Sequence, residues 1–127
     1  MGKNALIIDD NKDNLGILEQ LLLMEGVDSL TINDPELFDD NISQRQFDIV
    51  FLDLEMPNAN GYEMLRLLKS NTNYASTPIV AYTVHVSEIN VAKDIGFDGF
   101  LGKPLDSDEF PKQLERILAG ESVWATP

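Results

Sequence analysis

The stretch Phe47–Gly61, FDIVFLDLEMPNANG, constrains the fold more than any other part of the chain. Ile49, Val50, Phe51 and Leu52 form an unbroken apolar run rich in β-branched and aromatic residues. A strand without polar alternation is one buried on both faces, as in a parallel sheet covered by helices. The run stops at a carboxylate, Asp53. Behind it, Met56-Pro57 and Asn58-Ala59-Asn60-Gly61 carry turn chemistry, because Pro fixes its own φ while Asn and Gly accept positive φ. An acid at the carboxyl end of a buried parallel strand lies where open α/β sheets bind ligands. From this segment alone an ordinary loop acid would look the same.

Three further apolar runs end in a chemically distinctive group. Ala5–Ile8 leads into Asp9-Asp10, Ile79–Tyr82 into the hydroxyl of Thr83, and Phe100–Gly102 into the ammonium of Lys103, with Pro104 ending the pairing because it has no N–H. A fifth segment, Val27–Ile32, is interrupted by Asp28, Ser29 and Thr31, which suits a sheet edge. Helical spacing fills the intervals. Leu15, Leu18, Leu21 and Leu22 recur on one face until Gly26, Asn33-Asp34-Pro35 opens a weaker helix holding Leu37, Phe38 and Ile42, and Met64, Leu65 and Leu68 line a helix over 62–70. Asn71 to Pro78 is a polar loop. Val84-His85-Val86 leads into a helix with Ile89, Val91, Ala92 and Ile95, stopped by Gly96. The last helix carries Phe110, Leu114, Ile117 and Leu118 before Gly120, and Pro111 favours a start near Ser107 or Asp108, since Pro is harmless only in a first turn.

Five strands alternating with five helices argue for a parallel sheet with right-handed crossovers and helices on both faces. All carboxyl ends then share one edge, so Asp9, Asp10, Asp53, Thr83 and Lys103 converge there from four strands. Each alone is an ordinary surface group; together they are a candidate site. A chain of 127 residues is one domain by length. It has no cysteine, which excludes thiolate metal sites and disulfides and fits a reducing, cytoplasmic setting. No apolar run reaches membrane-spanning length. The formal charge of −13, from 22 acids against 9 bases, repels phosphate backbones and anionic lipid, which argues against direct nucleic-acid or membrane binding.

The Asp9-Asp10 pair after the first strand, Asp53 after the third, Met56-Pro57 with Gly61 behind it, Thr83 after the fourth and Lys103-Pro104 after the fifth together resemble the response-regulator receiver domain of two-component signalling. The resemblance covers about residues 4–119 and leaves 120–127 as a short tail of a single domain, 1–127. It implies a flavodoxin-like, doubly wound (βα)5 fold with strand order 2-1-3-4-5, phosphorylation on an Asp, dependence on Mg²⁺ with Mn²⁺ as the alternative, and a cis peptide between Lys103 and Pro104. It further implies that a histidine kinase or histidine phosphotransferase supplies the phosphoryl group, and that a downstream protein, or weakly a second copy of the chain, binds the face made by the fourth helix, fifth strand and fifth helix. Phe100, three residues before the Lys, occupies the position of the family's switching aromatic, and Thr83 is its partner in the switch.

Side-chain chemistry agrees with that resemblance. Crowded carboxylates repel unless a cation neutralises them, and Mg²⁺ takes oxygen ligands while bridging carboxylate to phosphate. Asp10 and Asp53 are assigned as direct ligands, Asp9 as one acting through water and, by family analogy, the backbone carbonyl of Glu55 as the remaining one. Asp53 is the in-line nucleophile, Lys103 offsets charge on the phosphoryl oxygens and Thr83 donates its hydroxyl. The chain on this reading catalyses only its own phosphorylation and dephosphorylation, and its residues contain no output domain. Val84 and His85 depart from the family pattern beside Thr83. Two other classes share parts of the pattern: a phosphatase of the haloacid dehalogenase type, which also uses a strand-end Asp, and an interaction module that is never phosphorylated.

Overall fold

The computed structural model describes residues 3–9, 12–56 and 59–127. Its elements in chain order are β1 (Lys3–Ile8), α1 (Lys12–Met24), β2 (Val27–Ile32), α2 (Asp40–Ser43), β3 (Ile49–Asp53), β4 (Glu55–Met56), β5 (Ala59–Asn60), α3 (Gly61–Ser70), β6 (Ile79–Thr83), α4 (Ile89–Ile95), β7 (Gly99–Gly102), α5 (Phe110–Leu118) and β8 (Trp124–Ala125). The main sheet runs β2-β1-β3-β6-β7-β8, all pairs parallel. Its first five members keep the expected order 2-1-3-4-5, with the anticipated fourth and fifth strands appearing as β6 and β7. The polar-flecked β2 lies at the edge, as its composition requires. No helix among the described residues is long and apolar enough to cross a membrane.

Strand alternation divides the interior in two. Residues of one parity, among them Ile7, Ile49, Phe51, Val80, Tyr82 and Leu101, pack with Leu18 and Leu22 of α1 and with Phe110, Leu114 and Ile117 of α5. Residues of the other parity, including Ile8, Leu52, Ile79, Ala81 and Phe100, pack with Met64, Leu65 and Leu68 of α3 and Ala92 of α4. Both faces of β3 are therefore buried, which is why its sequence shows no alternation.

Several boundaries differ from the sequence expectation, each for a local reason. The second helix does not begin at Asn33-Asp34-Pro35: the Asp34 carboxylate accepts from the Glu36 N–H at 2.9 Å and turns the chain into one 3-10 turn, Pro35–Leu37. The single turn of α2 is instead capped by Asp39, which accepts from the Ile42 N–H at 3.0 Å. The loop before β6 is not simply polar. Tyr74 is buried there and its hydroxyl donates to the Ile42 carbonyl at 2.9 Å, tying the loop to α2. Before α4 a 3-10 turn takes Val86–Glu88, so the helix proper is only seven residues long, and Val91 and Ile95 are exposed rather than core. The last helix starts at Phe110, later than 107 or 108. Asp106 accepts from the Asp108 and Glu109 N–H groups at 2.8 and 3.2 Å, spending those residues on a turn, and Pro111 stays within the first helical turn.

The segment anticipated as a tail is part of the sheet. The Phe100 N–H donates to the Val123 carbonyl at 2.8 Å, Phe100 registers with Trp124 and Leu101 with Ala125. Val123 is buried, and the Lys93 ammonium of α4 stands 5.0 Å from the centre of the Trp124 ring. This approach depends on Gly102. A Cβ there would stand 2.7 Å from Val86 Cγ1, 2.7 Å from Pro127 Cδ and 3.3 Å from Thr126 Cα, closer than carbon atoms pack.

Gly102→Ala should therefore unseat β8 or force Val86 aside, lowering stability by about 1–3 kcal/mol. Trp124 is the only tryptophan, so its emission reports the event directly and should move to the red as the indole gains water. An unchanged emission maximum together with an unchanged unfolding midpoint would show that β8 does not rest on Gly102.

Candidate functional site

Register brings the strand-end groups to one place. Ile8 is level with Leu52, so Asp9 follows β1 beside Asp53, the last residue of β3. The Asp9 N–H still pairs with the Ile32 carbonyl at 3.1 Å, which holds the residue in line with the sheet. Asp53 registers with Tyr82, and Thr83 with Gly102, immediately before Lys103. Counting in twos, Asp53 continues the parity of Ile49 and Phe51, Tyr82 shares it, and Lys103 follows Leu101; all belong to the α1/α5 side. Thr83 follows Ile79 and Ala81 on the α3/α4 side, the side of Phe100.

The side chains meet as that count requires. Lys103 Nζ donates to Asp9 Oδ2 at 3.2 Å and stands 3.6 Å from Asp53 Oδ2, with all three residues buried. Tyr82, also buried, donates its hydroxyl to the same Asp9 oxygen at 2.5 Å, and the Lys103 ammonium lies 4.1 Å from the centre of its ring. The Lys103–Pro104 peptide is cis, as the resemblance implied. Asp10 and Pro57 lie outside the described residues, and Glu55 follows two positions after Asp53 in β4. Tyr82 was not among the sequence candidates. The signal that could have found it is its adjacency to Thr83 and its shared parity with Asp53, which place a phenol at the same strand end.

Thr83 is 1% exposed, and its Oγ1 accepts from the His85 N–H at 3.1 Å, so its own O–H can still donate. Val84 is 60% exposed, and His85 is exposed as well. The turn beyond is tied to α3, because the Tyr62 hydroxyl donates to Glu88 Oε2. Burial, then the hydrogen bond to Glu88 and its charge, push the Tyr62 phenol well above its ordinary value, which keeps it a donor throughout the neutral range. Gly61 opens α3 against the loop after β3. A Cβ there would stand 2.8 Å from Leu54 Cα and 3.0 Å from the Asp53 carbonyl oxygen, so a larger residue would push the helix away from Asp53.

The donor set suits a hard divalent ion. Asp9 and Asp53 supply carboxylate oxygens, and the two of them share one ammonium, leaving this buried group of three side chains net negative.

The family model of the response regulator receiver domain matches residues 5–115. Transcriptional regulatory protein CpxR of Escherichia coli (strain K12) is 31% identical over 126 residues, which are 94% of this chain and 50% of that protein. Hybrid signal transduction histidine kinase E of Dictyostelium discoideum is 38% identical over 109 residues, 81% of this chain and 6% of that protein. The chain thus spans half the length of the first and a small fraction of the second. Among solved structures, chemotaxis response regulator CheY4 of Vibrio cholerae superposes with a TM-score of 0.82 at 24% identity, over 92% of this chain and 99% of that one. The receiver domain of sensor histidine kinase PA1611 from Pseudomonas aeruginosa PAO1, with a magnesium ion coordinated in its active-site cleft, superposes at 0.82 and 22% identity over 94% and 99%. At those identities the structural likeness concerns the fold.

Lys103 is the group whose removal should be felt most. Deleting one partner of a buried ion pair costs about 3–5 kcal/mol, and here two carboxylates lose their shared ammonium. Urea unfolding of Lys103→Met without divalent ions should show a loss of that order. A loss below about 1 kcal/mol would mean that water, not Lys103, compensates Asp9 and Asp53.

Proposed function

Because this chain belongs to the response regulator receiver family, we propose that it is a phospho-acceptor switch in a two-component system or phosphorelay, with Asp53 as the acceptor. The observation that carries this reading is the buried Lys103 ammonium beside both Asp9 and Asp53 at the carboxyl edge of the sheet. Asp53 follows two fully buried residues of β3 and is itself held by the strand, so its carboxylate is presented with little freedom to reorient. Such fixed presentation is what an in-line displacement needs.

In the proposed reaction a carboxylate oxygen of Asp53 forms a bond to phosphorus as the P–N bond of the partner's phosphohistidine breaks, and the departing imidazole keeps that electron pair. Lys103 then faces the phosphoryl oxygens, and the Thr83 hydroxyl donates to one of them. Asp10, Asp53 and the Glu55 carbonyl, with Asp9 through water, would hold a Mg²⁺ ion, which when bound supplies positive charge to the phosphoryl oxygens. Hydrolysis of the acyl phosphate resets the switch. The chain on this reading acts on itself and turns over no separate substrate, and family membership favours it over the dehalogenase-type alternative.

The signal leaves through Thr83. A phosphoryl group adds about 1.5–2 negative charges and new acceptors, drawing the hydroxyl inward at the expense of its bond from the His85 N–H. The 3-10 turn carrying Val86 moves with it. Phe100, the switching aromatic that the resemblance implies, is 0% exposed and shares a cluster with Val86 and Trp124, so the disturbance reaches it directly through its packing. The proposed output face, α4, β7 and α5, accordingly includes β8 at its edge. The proposed partners are a cytoplasmic histidine kinase or phosphotransferase and a protein that binds this face, with weak pairing of two copies as a further state.

Asp53→Asn should abolish phosphoryl uptake from acetyl phosphate while leaving the fold intact, because an amide is not a nucleophile at phosphorus. Intact-mass analysis after incubation with Mg²⁺ measures it. A stoichiometric, base-labile phosphate on the Asn variant would place the acceptor elsewhere.

A further inference from the structure

We propose that Tyr82 is a positioning residue for phosphoryl transfer: it keeps Asp9 hydrogen-bonded and gives the Lys103 ammonium a surface to move across when that ammonium turns from Asp9 to the phosphoryl group. The inference rests on the reading of Asp53 as the acceptor. Lys103 is at hydrogen-bond distance from Asp9, 3.2 Å, but 3.6 Å from Asp53, beyond hydrogen-bond range. Before transfer the ammonium thus makes the shorter of its two contacts with Asp9. Serving phosphoryl oxygens on Asp53 requires it to let go.

Asp9 is 0% exposed. A carboxylate closed off from bulk solvent resists the loss of a charged donor, because solvent does not stand ready to replace it. Tyr82 bears on this resistance in two ways. Its hydroxyl donates to Asp9 Oδ2, the oxygen that Lys103 also uses, and remains there when Lys103 departs. Its ring lies 4.1 Å from the ammonium and offers a cation–π surface that does not depend on Asp9. The ring is itself held in place. It meets Phe51 edge-on at 6.2 Å and 80°, and Phe51 stacks at a tilt against Phe110 of α5. The phenol aims its hydroxyl at Asp9, a donor that an aliphatic residue at this core position would lack.

The test is a double-mutant cycle between Tyr82→Phe and Asp9→Asn, with Tyr82→Leu alongside. Phosphoryl uptake from acetyl phosphate is followed at saturating Mg²⁺, and urea unfolding is measured on the metal-free proteins. Tyr82→Phe keeps the ring and deletes the donor, and should slow uptake by up to roughly tenfold, because Asp9 depends more on that donor once the ammonium has turned away. Tyr82→Leu, which also removes the ring, should slow it further. In the Asp9→Asn background, where no buried charge has to be satisfied, Tyr82→Phe should change the rate by less than about twofold. The metal-free unfolding data should show the same coupling between positions 9 and 82. An unchanged rate in Tyr82→Phe, or an equal loss with Asp and with Asn at position 9, overturns the proposal, as does coupling seen in stability and not in rate. Failure of the underlying reading is visible separately, in a wild-type chain that takes up no phosphoryl group, and overturns both.

Discussion

The ammonium of Lys103, closed in with two carboxylates, is the constraint on which the arrangement of this molecule turns. A charge of that kind is tolerated in a core only when its partners are held at short range, and here the two partners come from the ends of β1 and β3 while the ammonium itself follows β7. The parallel register must therefore hold along the whole width from Asp9 to Lys103. A slip of one residue in any of these strands would turn its strand-end group to the opposite face and leave a buried charge alone. Chemistry and fold specificity are in this respect the same requirement.

Much of this was legible in the sequence because it is written in strands buried on both faces. Apolar runs without alternation, such as Ile49–Leu52, can hardly be anything but central strands in a chain with intervening helical periodicity, and the groups that close them are then bound to share an edge. Asp9, Asp53, Thr83 and Lys103 follow from that logic with no contact known. The same local evidence is silent about features made by partners distant in sequence. Trp124-Ala125 is too short for any periodicity, and its place in the sheet is set by what Gly102 lacks. Tyr82 looks like one more apolar residue of a core strand until the register puts its hydroxyl against Asp9. The short α2 and the late start of α5 were hidden for a different reason: the Asp39 carboxylate caps the one and the Asp106 carboxylate holds a turn ahead of the other, and which of several neighbouring acids does so is decided by geometry alone.

Polar groups away from the site serve connection. Tyr74 and Thr77 donate to the Ile42 and Phe47 carbonyls at 2.9 and 3.1 Å, and Asp98 accepts from both the Ile79 N–H and Lys69 at 2.9 Å. These contacts gather at the amino end of the sheet, where loops would otherwise leave backbone groups unsatisfied. That end is stitched by neutral or surface-paired bonds, while the buried charge is concentrated at the other.

The parity of the strand ends has one further consequence. Thr83 belongs to the side packed by α3 and α4, whereas Asp53, Tyr82 and Lys103 belong to the side packed by α1 and α5, so a single event at the sheet edge is registered by two cores that the sheet insulates from each other. Substitutions in one core can adjust how readily the charged cluster rearranges and those in the other how the rearrangement is reported. Rate and readout can in this way drift independently across descendants of the same chain, without any change at the strand ends themselves.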